Sequence, residues 1–371
     1  MRSILYKNEL AKRAFYKYLE NAKRFSPKSI ECYEKAIWLW EKHTDKADFK
    51  LFNQTRAENF KDWLKNKKKK DSQDTISLSY CYDILRYLKV FFEWLSKQTN
   101  YRKINMTAID YLNLTRGEVR IATQPKTKQC PTIDEVKTII ENIKGKTEIE
   151  MRDKALISLI FLTSARISAI ISLSMECFNK EQLTINQDPK LGVKTKNSKR
   201  FITALIPFSY KEPLRYFLEW FDYLEKEKGF KPTDPIFPAT KKENGKNNLS
   251  YFSSTEVEPI FWKSNTSARK IIENRSKQAE VKYYYPHTYR DLLVKEISKL
   301  PLTQEQKKAY SQNLGHENVG TTFGSYGDTM LDDDRQIEII KQTSLTNKQG
   351  GFNCELNNTE LLRLLAEKLR K

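Results

Sequence analysis

Four short stretches of the chain carry groups suited to chemistry on a charged ester. They are Arg166 in TSAR, Lys194 and Lys196 in KTKNSKR, His287 and Arg290 in PHTYRD, and His316 and Tyr326 in LGHENVGTTFGSYG. Taken singly each is weak: H-x-x-R arises often by chance, an arginine after a small-residue turn is commonly a surface group, and a lone histidine is commonly structural. Two of the chain's three histidines nevertheless fall in the last two stretches, and that concentration points to a site. A phosphodiester gains negative charge on its non-bridging oxygens as a nucleophile adds, and two arginines can meet those oxygens with forked, charge-assisted hydrogen bonds. A tyrosine hydroxyl can attack phosphorus and preserve the bond energy in a covalent adduct. A histidine can accept the phenol proton, and a lysine can give one to the departing hydroxyl. Tyr289 and Tyr310 compete as nucleophiles, but Tyr289 lies inside the arginine stretch and Tyr310 precedes the last histidine, so Tyr326 fits better.

Other chemistries have no sequence support. There is no phosphate-cradling GxxxxGK[ST] loop, no HExxH and no obvious cluster of metal ligands, which disfavours an ATP-driven or metal-dependent nuclease and implies neither cofactor nor metal. The 66 Lys and Arg residues outnumber the 47 Asp and Glu, a net charge of +19, as expected of a protein that meets a polyanion. Nucleic acid is the leading partner. The longest apolar run, Ala155 to Leu162, is too short to span a bilayer and no stretch has a signal-peptide layout, so no membrane association and a cytoplasmic, nucleoid-associated location are expected. The five cysteines lie far apart with no CxxC pair, which reads as reduced thiols without a zinc site or disulfide frame.

These groups need elements to position them. The first third reads as helical: Ser26 is an N-cap with Pro27 at the first helical position, and Ile84, Leu85, Leu88, Phe91, Phe92 and Leu95 form a stripe at helical spacing. Between these helices, Lys67, Lys68, Lys69 and Lys70 form a dense positive run, either a solvated loop or a contact with a phosphate backbone. From about Asn113 to Pro131 the periodicity lapses and the text reads as a linker, after which Thr132 and Glu135 form a capping box that opens a new helix. An apolar helix around DKALISLIFL follows, then strand-like QLTINQ and a strand around Phe201 to Ile206, joined as a hairpin with a lysine-rich turn. Helices in PLRYFLEWFDYLEKEK, from about 290 to 300, and in TQEQKKAYSQNL come next. The glycines and threonines between His316 and Tyr326 read as a flexible approach to the tyrosine.

In order, these stretches resemble the tyrosine recombinase, or phage-type integrase, family. LTSARISAIISL is similar to its first arginine box, PHTYRDLL to its second, and LGHENVGTTFGSYG to its histidine and nucleophile segment. The resemblance implies a mainly α fold with a small β-sheet: an N-terminal helical core-binding (SAM-like) domain over residues 1–125, with its linker from about 113, and a mixed α/β catalytic domain over 126–345. The tail, 346–371, would be a helix that docks on its own domain or on a neighbouring protomer. It also implies that Arg166, Arg290 and His316 bind the scissile phosphate, that His287 assists proton transfer from the nucleophile Tyr326, and that Lys194, or alternatively Lys196, is the general acid. The product would be a 3′-phosphotyrosyl link with release of a 5′-hydroxyl, and the working form a homotetramer on paired sites in double-stranded DNA, with accessory DNA-bending or directionality factors. A type IB topoisomerase-like enzyme and a catalytically silent DNA-binding protein of the same fold are the alternatives. Integration or excision of a mobile element is the expected task. Three departures stand out: Tyr326 follows His316 by ten residues where nine is common, Ala169 replaces the usual acidic residue, and TSAR lacks the usual glycine.

Overall fold

The computed structural model describes residues 2–70, 72–124, 129–244 and 251–325. Tyr326, Cys354 and the tail over 346–371 therefore lie outside the described residues. The chain divides into two compact units after Gln124.

The first unit is helical: α1 (Arg2–Asn21), α2 (Pro27–His43), α3 (Gln54–Lys65), α4 (Leu78–Leu95), α5 (Met106–Asp110) and α6 (Arg116–Thr123). Helix starts follow from side-chain caps that satisfy otherwise orphaned backbone N–H groups. The Ser26 hydroxyl accepts from Ser29 N, and Asn53 and Ser77 do the same for α3 and α4. All six residues of the α4 stripe are buried, where Phe92 stacks on Phe52 at 4.0 Å and meets Trp40 edge-on at 5.0 Å. The Lys67–Lys70 run sits in a tight turn: Ile76 N donates to Lys67 O, and Lys69 N to Asp74 O. Lys68, Lys69 and Lys70 are exposed there.

One expectation is corrected. The stretch read as linker from about Asn113 contains α6, because Thr115 and Glu118 make a reciprocal capping box that starts a helix despite Gly117. Ala122 is buried and its carbonyl accepts from Ser79 Oγ of α4 at 2.6 Å, so α6 is part of the first unit's packing.

The second unit starts with α7 (Ile133–Asn142), opened by the Thr132/Glu135 capping box, and α8 (Glu148–Thr163). Every residue of α8 from Ala155 to Thr163 is buried, so this half of the helix is enclosed on all sides and lies in the core. The short α9 (Ile167–Ile170) is followed by an antiparallel sheet of β1 (Phe178–Asn179), β2 (Thr184–Gln187) and β3 (Phe201–Ala204) in that order, with Ile185 opposite Thr203. Helix α10 (Glu212–Asp222) packs Phe217 and Trp220 onto α8, and a hairpin of β4 (Ala239–Asn244) and β5 (Tyr251–Glu258), not anticipated from sequence, follows. Then come α11 (Thr266–Gln278), α12 (Thr288–Ser298), α13 (Gln304–Asn313) and α14 (Val319–Ser325). The fold is thus mainly helical with small sheets. Cys32, Cys81 and Cys177 are free thiols.

A buried ionic triad ties this unit together. Asp153 of α8 accepts from Arg275 of α11 through both Nε (2.9 Å) and Nη2 (2.8 Å), and from Arg152 at 2.9 Å. Arg152 in turn donates to Pro238 O and Thr240 Oγ1 and lies 5.2 Å from the Trp262 ring centre. Removing one partner of such a buried set leaves uncompensated charge, at a cost of about 3–5 kcal/mol. Asp153→Ala should therefore lower stability by that order in urea unfolding at pH 7; an unchanged midpoint would show that the triad contributes nothing net.

Candidate active site

The site is built around the Arg290 guanidinium, 1% exposed, at the start of α12. A buried cation needs acceptors in place of water, and Arg290 finds them at two helix ends. Its Nη1 donates to Ser164 O (2.9 Å) at the end of α8, and its Nη2 to Leu314 O (2.6 Å) at the end of α13. The last carbonyls of a helix lack intrahelical donors and carry the negative end of its dipole, so both attract a cation. The second hydrogen of Nη2 meets His316 Nε2 at 3.0 Å.

The sequence Leu-Gly-His is a helix terminator. Past α13, Gly315 N donates to Gln312 O and His316 N to Ser311 O, the paired bonds of a Schellman cap. Gly315 has φ 72°, and a Cβ there would fall 2.5 Å from the Phe201 ring of β3. Only glycine suits both demands, and the turn delivers His316 to Arg290. Asn313 fixes the same helix end to the sheet edge: its amide exchanges hydrogen bonds with Ala204 N (2.7 Å) and Ala204 O (3.1 Å), and its carbonyl accepts from Thr203 Oγ1.

Arg166 follows two residues after Ser164, which adopts φ 47°. That is the left-handed conformation in which helices commonly end on glycine. Ser164 holds it with its own N–H on Ile160 O and its hydroxyl on Tyr289 O at 3.2 Å. Arg166 is half-buried and opens α9, and the hydroxyls of Ser168 in α9 and of Ser172 just past its end grip the backbone of Lys194 from both sides: Ser168 Oγ donates to Lys194 O, and Lys194 N donates to Ser172 Oγ at 2.8 Å. Two residues on, Lys196 begins a short turn in which Asn197 and Ser198 have positive φ.

His316, 5% exposed, registers what surrounds it. Burial first, then the charges of Arg290, Arg166, Lys196 and His287, push its pKa down to about 4. Arg166, Lys196, His287, Arg290 and His316 are thereby brought to one place. Lys194 lines a cleft of about 420 Å³ with Glu176, Leu191 and Trp262. Lys67–Lys70 belong to the first unit, and Tyr326 lies outside the described residues.

Three contributors were not read from the sequence: Ser164, Ser311 and Thr322. The expectation of a flexible approach after His316 is corrected too. Residues 319–325 form α14, and Thr322, fully buried, hydrogen-bonds His316 Nδ1 at 2.8 Å. The pair of glycines hid this helix; a hydroxyl six residues after the histidine was the available signal.

Among the described residues no helix is long and apolar enough to cross a membrane, and no group of three or more His, Cys, Asp or Glu could hold a metal ion. The fold is that of several solved recombinases. A lambda integrase dimer bound to a COC′ core site matches with TM-score 0.57 and 14% identity, over 94% of this chain and 99% of that one. The Tn1549 transposon integrase in complex with circular intermediate DNA matches with TM-score 0.55 and 15% identity, over 88% and 98%. XerH site-specific recombinase bound to a palindromic difH substrate matches with TM-score 0.54 and 16% identity, over 89% and 84%. A "Probable integrase/recombinase" of Aquifex aeolicus (strain VF5) is 24% identical over 307 residues, 79% of this chain and 87% of that protein. The model of the phage integrase family matches residues 131–330, which contain every candidate position from Arg166 to Tyr326. The chain belongs to the phage integrase family, the tyrosine recombinases.

The depressed His316 pKa has a consequence for stability. The folded state favours neutral imidazole, so between pH 6.5 and about 4 the unfolded chain binds more protons than the folded one, and stability falls as pH drops through that window. His316→Gln should flatten this part of the pH–stability curve in urea unfolding between pH 7 and pH 4. Equal slopes for wild type and variant would contradict the assignment.

Proposed function

We propose that this chain is a site-specific DNA recombinase that cleaves and rejoins strands through a covalent 3′-phosphotyrosyl intermediate, without metal or ATP. The observation that carries the reading is the convergence of Arg166, Lys196, His287 and Arg290 on a buried His316, within the segment matched by the family model. Such a cluster of positive charge has one obvious complement, an anion that becomes more negative during reaction.

In this reading Arg166, Arg290 and His316 bind the non-bridging oxygens of the scissile phosphate. The Tyr326 oxygen attacks phosphorus while its proton passes to His287; the bond from phosphorus to the 5′ oxygen breaks, and a lysine protonates that oxygen. The electrostatic neighbourhood of His316 favours Lys196 over Lys194 for this last role, with Lys194 fixing the turn by its backbone. Lys67–Lys70 would contact the DNA backbone, where neutralised phosphates release counterions. The DNA-bound dimer and transposon complex among the structural neighbours support duplex DNA as substrate, assembly on paired sites, and a mobile-element task. The net charge of +19 is in keeping with that partner.

Suicide duplexes carrying the sequence that flanks the gene provide the test. A covalent protein–DNA adduct should form with wild type, vanish in Tyr326→Phe, and fall by about 10²–10³-fold in Arg166→Ala, with duplex binding largely kept. Joined products from two duplexes favour recombination; supercoil relaxation alone would mark a topoisomerase, and no adduct a silent binding protein. For the general acid, Lys196→Ala should slow cleavage by about 10²–10⁴-fold. A duplex with sulfur at the 5′ bridging position, whose thiolate leaves without a proton, should restore it. The same rescue pattern in Lys194→Ala, and not in Lys196→Ala, would reverse the assignment.

A further inference from the structure

Behind His316 three polar groups stand in line. His316 Nδ1 meets Thr322 Oγ1 at 2.8 Å, Thr322 Oγ1 donates to Ser311 Oγ at 2.9 Å, and Ser311 Oγ donates to Asn318 O at 3.4 Å. A carbonyl cannot donate, so the line has one direction: Ser311 spends its hydrogen on Asn318, Thr322 spends its own on Ser311, and the Thr322 oxygen can only accept. The hydrogen in the first bond is therefore on His316 Nδ1. At the other edge of the ring Arg290 Nη2 can only donate, so Nε2 is the acceptor. Both edges assign the neutral Nδ1–H tautomer.

That state has a consequence for the reaction, resting on the reading of Arg290 and His316 as phosphate ligands. To donate to a phosphate oxygen, Nε2 must carry a hydrogen. A neutral ring could supply it by moving its one hydrogen from Nδ1 to Nε2, but the Nδ1 lone pair would then face the lone pairs of Thr322. We propose that the Thr322–Ser311–Asn318 relay bars the neutral Nε2–H form, so that His316 binds the phosphodiester only as imidazolium, taking up one proton from solvent at Nε2 when the anion enters. Thr322 and Ser311 are thus positioning residues acting through His316, and the reaction is coupled to a protonation in which Nδ1–H stays on Thr322 throughout. The groups facing the ring are in keeping with this. Burial first, and then Arg290, Arg166, Lys196 and His287, hold it neutral while no anion is present, with its pKa at about 4, and a phosphate among those four groups offsets their charge. Glu317, the adjacent carboxylate, is exposed and turned to Lys199 at 3.4 Å.

Two measurements test this. The first needs no DNA: ring nitrogen–hydrogen correlation spectra of the labelled full chain at pH 7, with only three histidines to separate by His43→Gln and His287→Gln. His316 should show the Nδ1–H pattern; the Nε2–H pattern overturns the relay. The second is the pH dependence of adduct formation on the suicide duplex. In wild type the rate should fall roughly tenfold per pH unit above the bound-state pKa of His316, the slope for loss of one proton. Ser311→Ala frees the Thr322 hydrogen to donate to Nδ1, and Thr322→Val removes the opposing lone pairs. Either should permit the neutral Nε2–H form and move that limb upward by about one pH unit or more, while Thr322→Ser keeps the wild-type profile. A merely structural role would lower rates without moving the limb, and limbs unmoved in a folded Ser311→Ala or Thr322→Val overturn the proposal. If wild type forms no adduct, the functional reading fails instead, and the spectra alone decide the tautomer.

Discussion

A single guanidinium closes two helices at once. Arg290 is a fixed charge with almost no access to water, and it is tolerable there because Ser164 O and Leu314 O, the terminal carbonyls of α8 and α13, turn toward it. Each helix end would otherwise bury an acceptor without a donor, and the arginine would bury donors without acceptors. The three deficits cancel only when α8, α12 and α13 are in register, so the interaction fixes where Arg166, which follows Ser164, and His316, which follows Leu314, emerge. The geometry of the candidate site is thus helix capping in the fold.

The same arrangement concentrates positive charge. Arg166, Lys196, His287 and Arg290 all act on His316, and the protein keeps that histidine neutral. Arg290 is buried, Arg166 and His287 are half-buried and Lys196 is exposed, and the elements that carry them are held by core packing: the buried α8, the ionic triad at Asp153, and the Asn313 clasp on β3. In the proposed function, a site assembled in advance loses little on reorganising when an anion arrives, which is the condition under which fixed dipoles and charges stabilise a transition state most.

Much of this was legible in the sequence because its signals are local. The Ser26 and Thr132 caps and the α4 stripe each depend on residues a few positions apart, and all appear where the text places them. The losses were of two kinds. Gly117 and the pair Gly320 and Gly324 masked α6 and α14, whose helicity comes from the Thr115/Glu118 box in one case and from docking through Thr322 in the other. The grip of Ser168 and Ser172 on the Lys194 backbone spans 26 and 22 residues of chain, which no local pattern encodes.

The departures from the family's motif are instructive for the same reason. A glycine before the first arginine stands for a backbone angle, and Ser164 supplies that angle at φ 47° by exchanging the steric ease of glycine for a hydroxyl bond to Tyr289 O. A side chain there costs on the order of 1 kcal/mol in the left-handed region, and a net hydrogen bond contributes about as much. Ala169, in the place of an acidic residue, is buried, and the neighbouring hydroxyls of Ser168 and Ser172 hold the lysine turn through its backbone, so no carboxylate is needed to order that segment. Motif letters are proxies for conformations and contacts, and where another residue meets the same physical demand the letter is free to change.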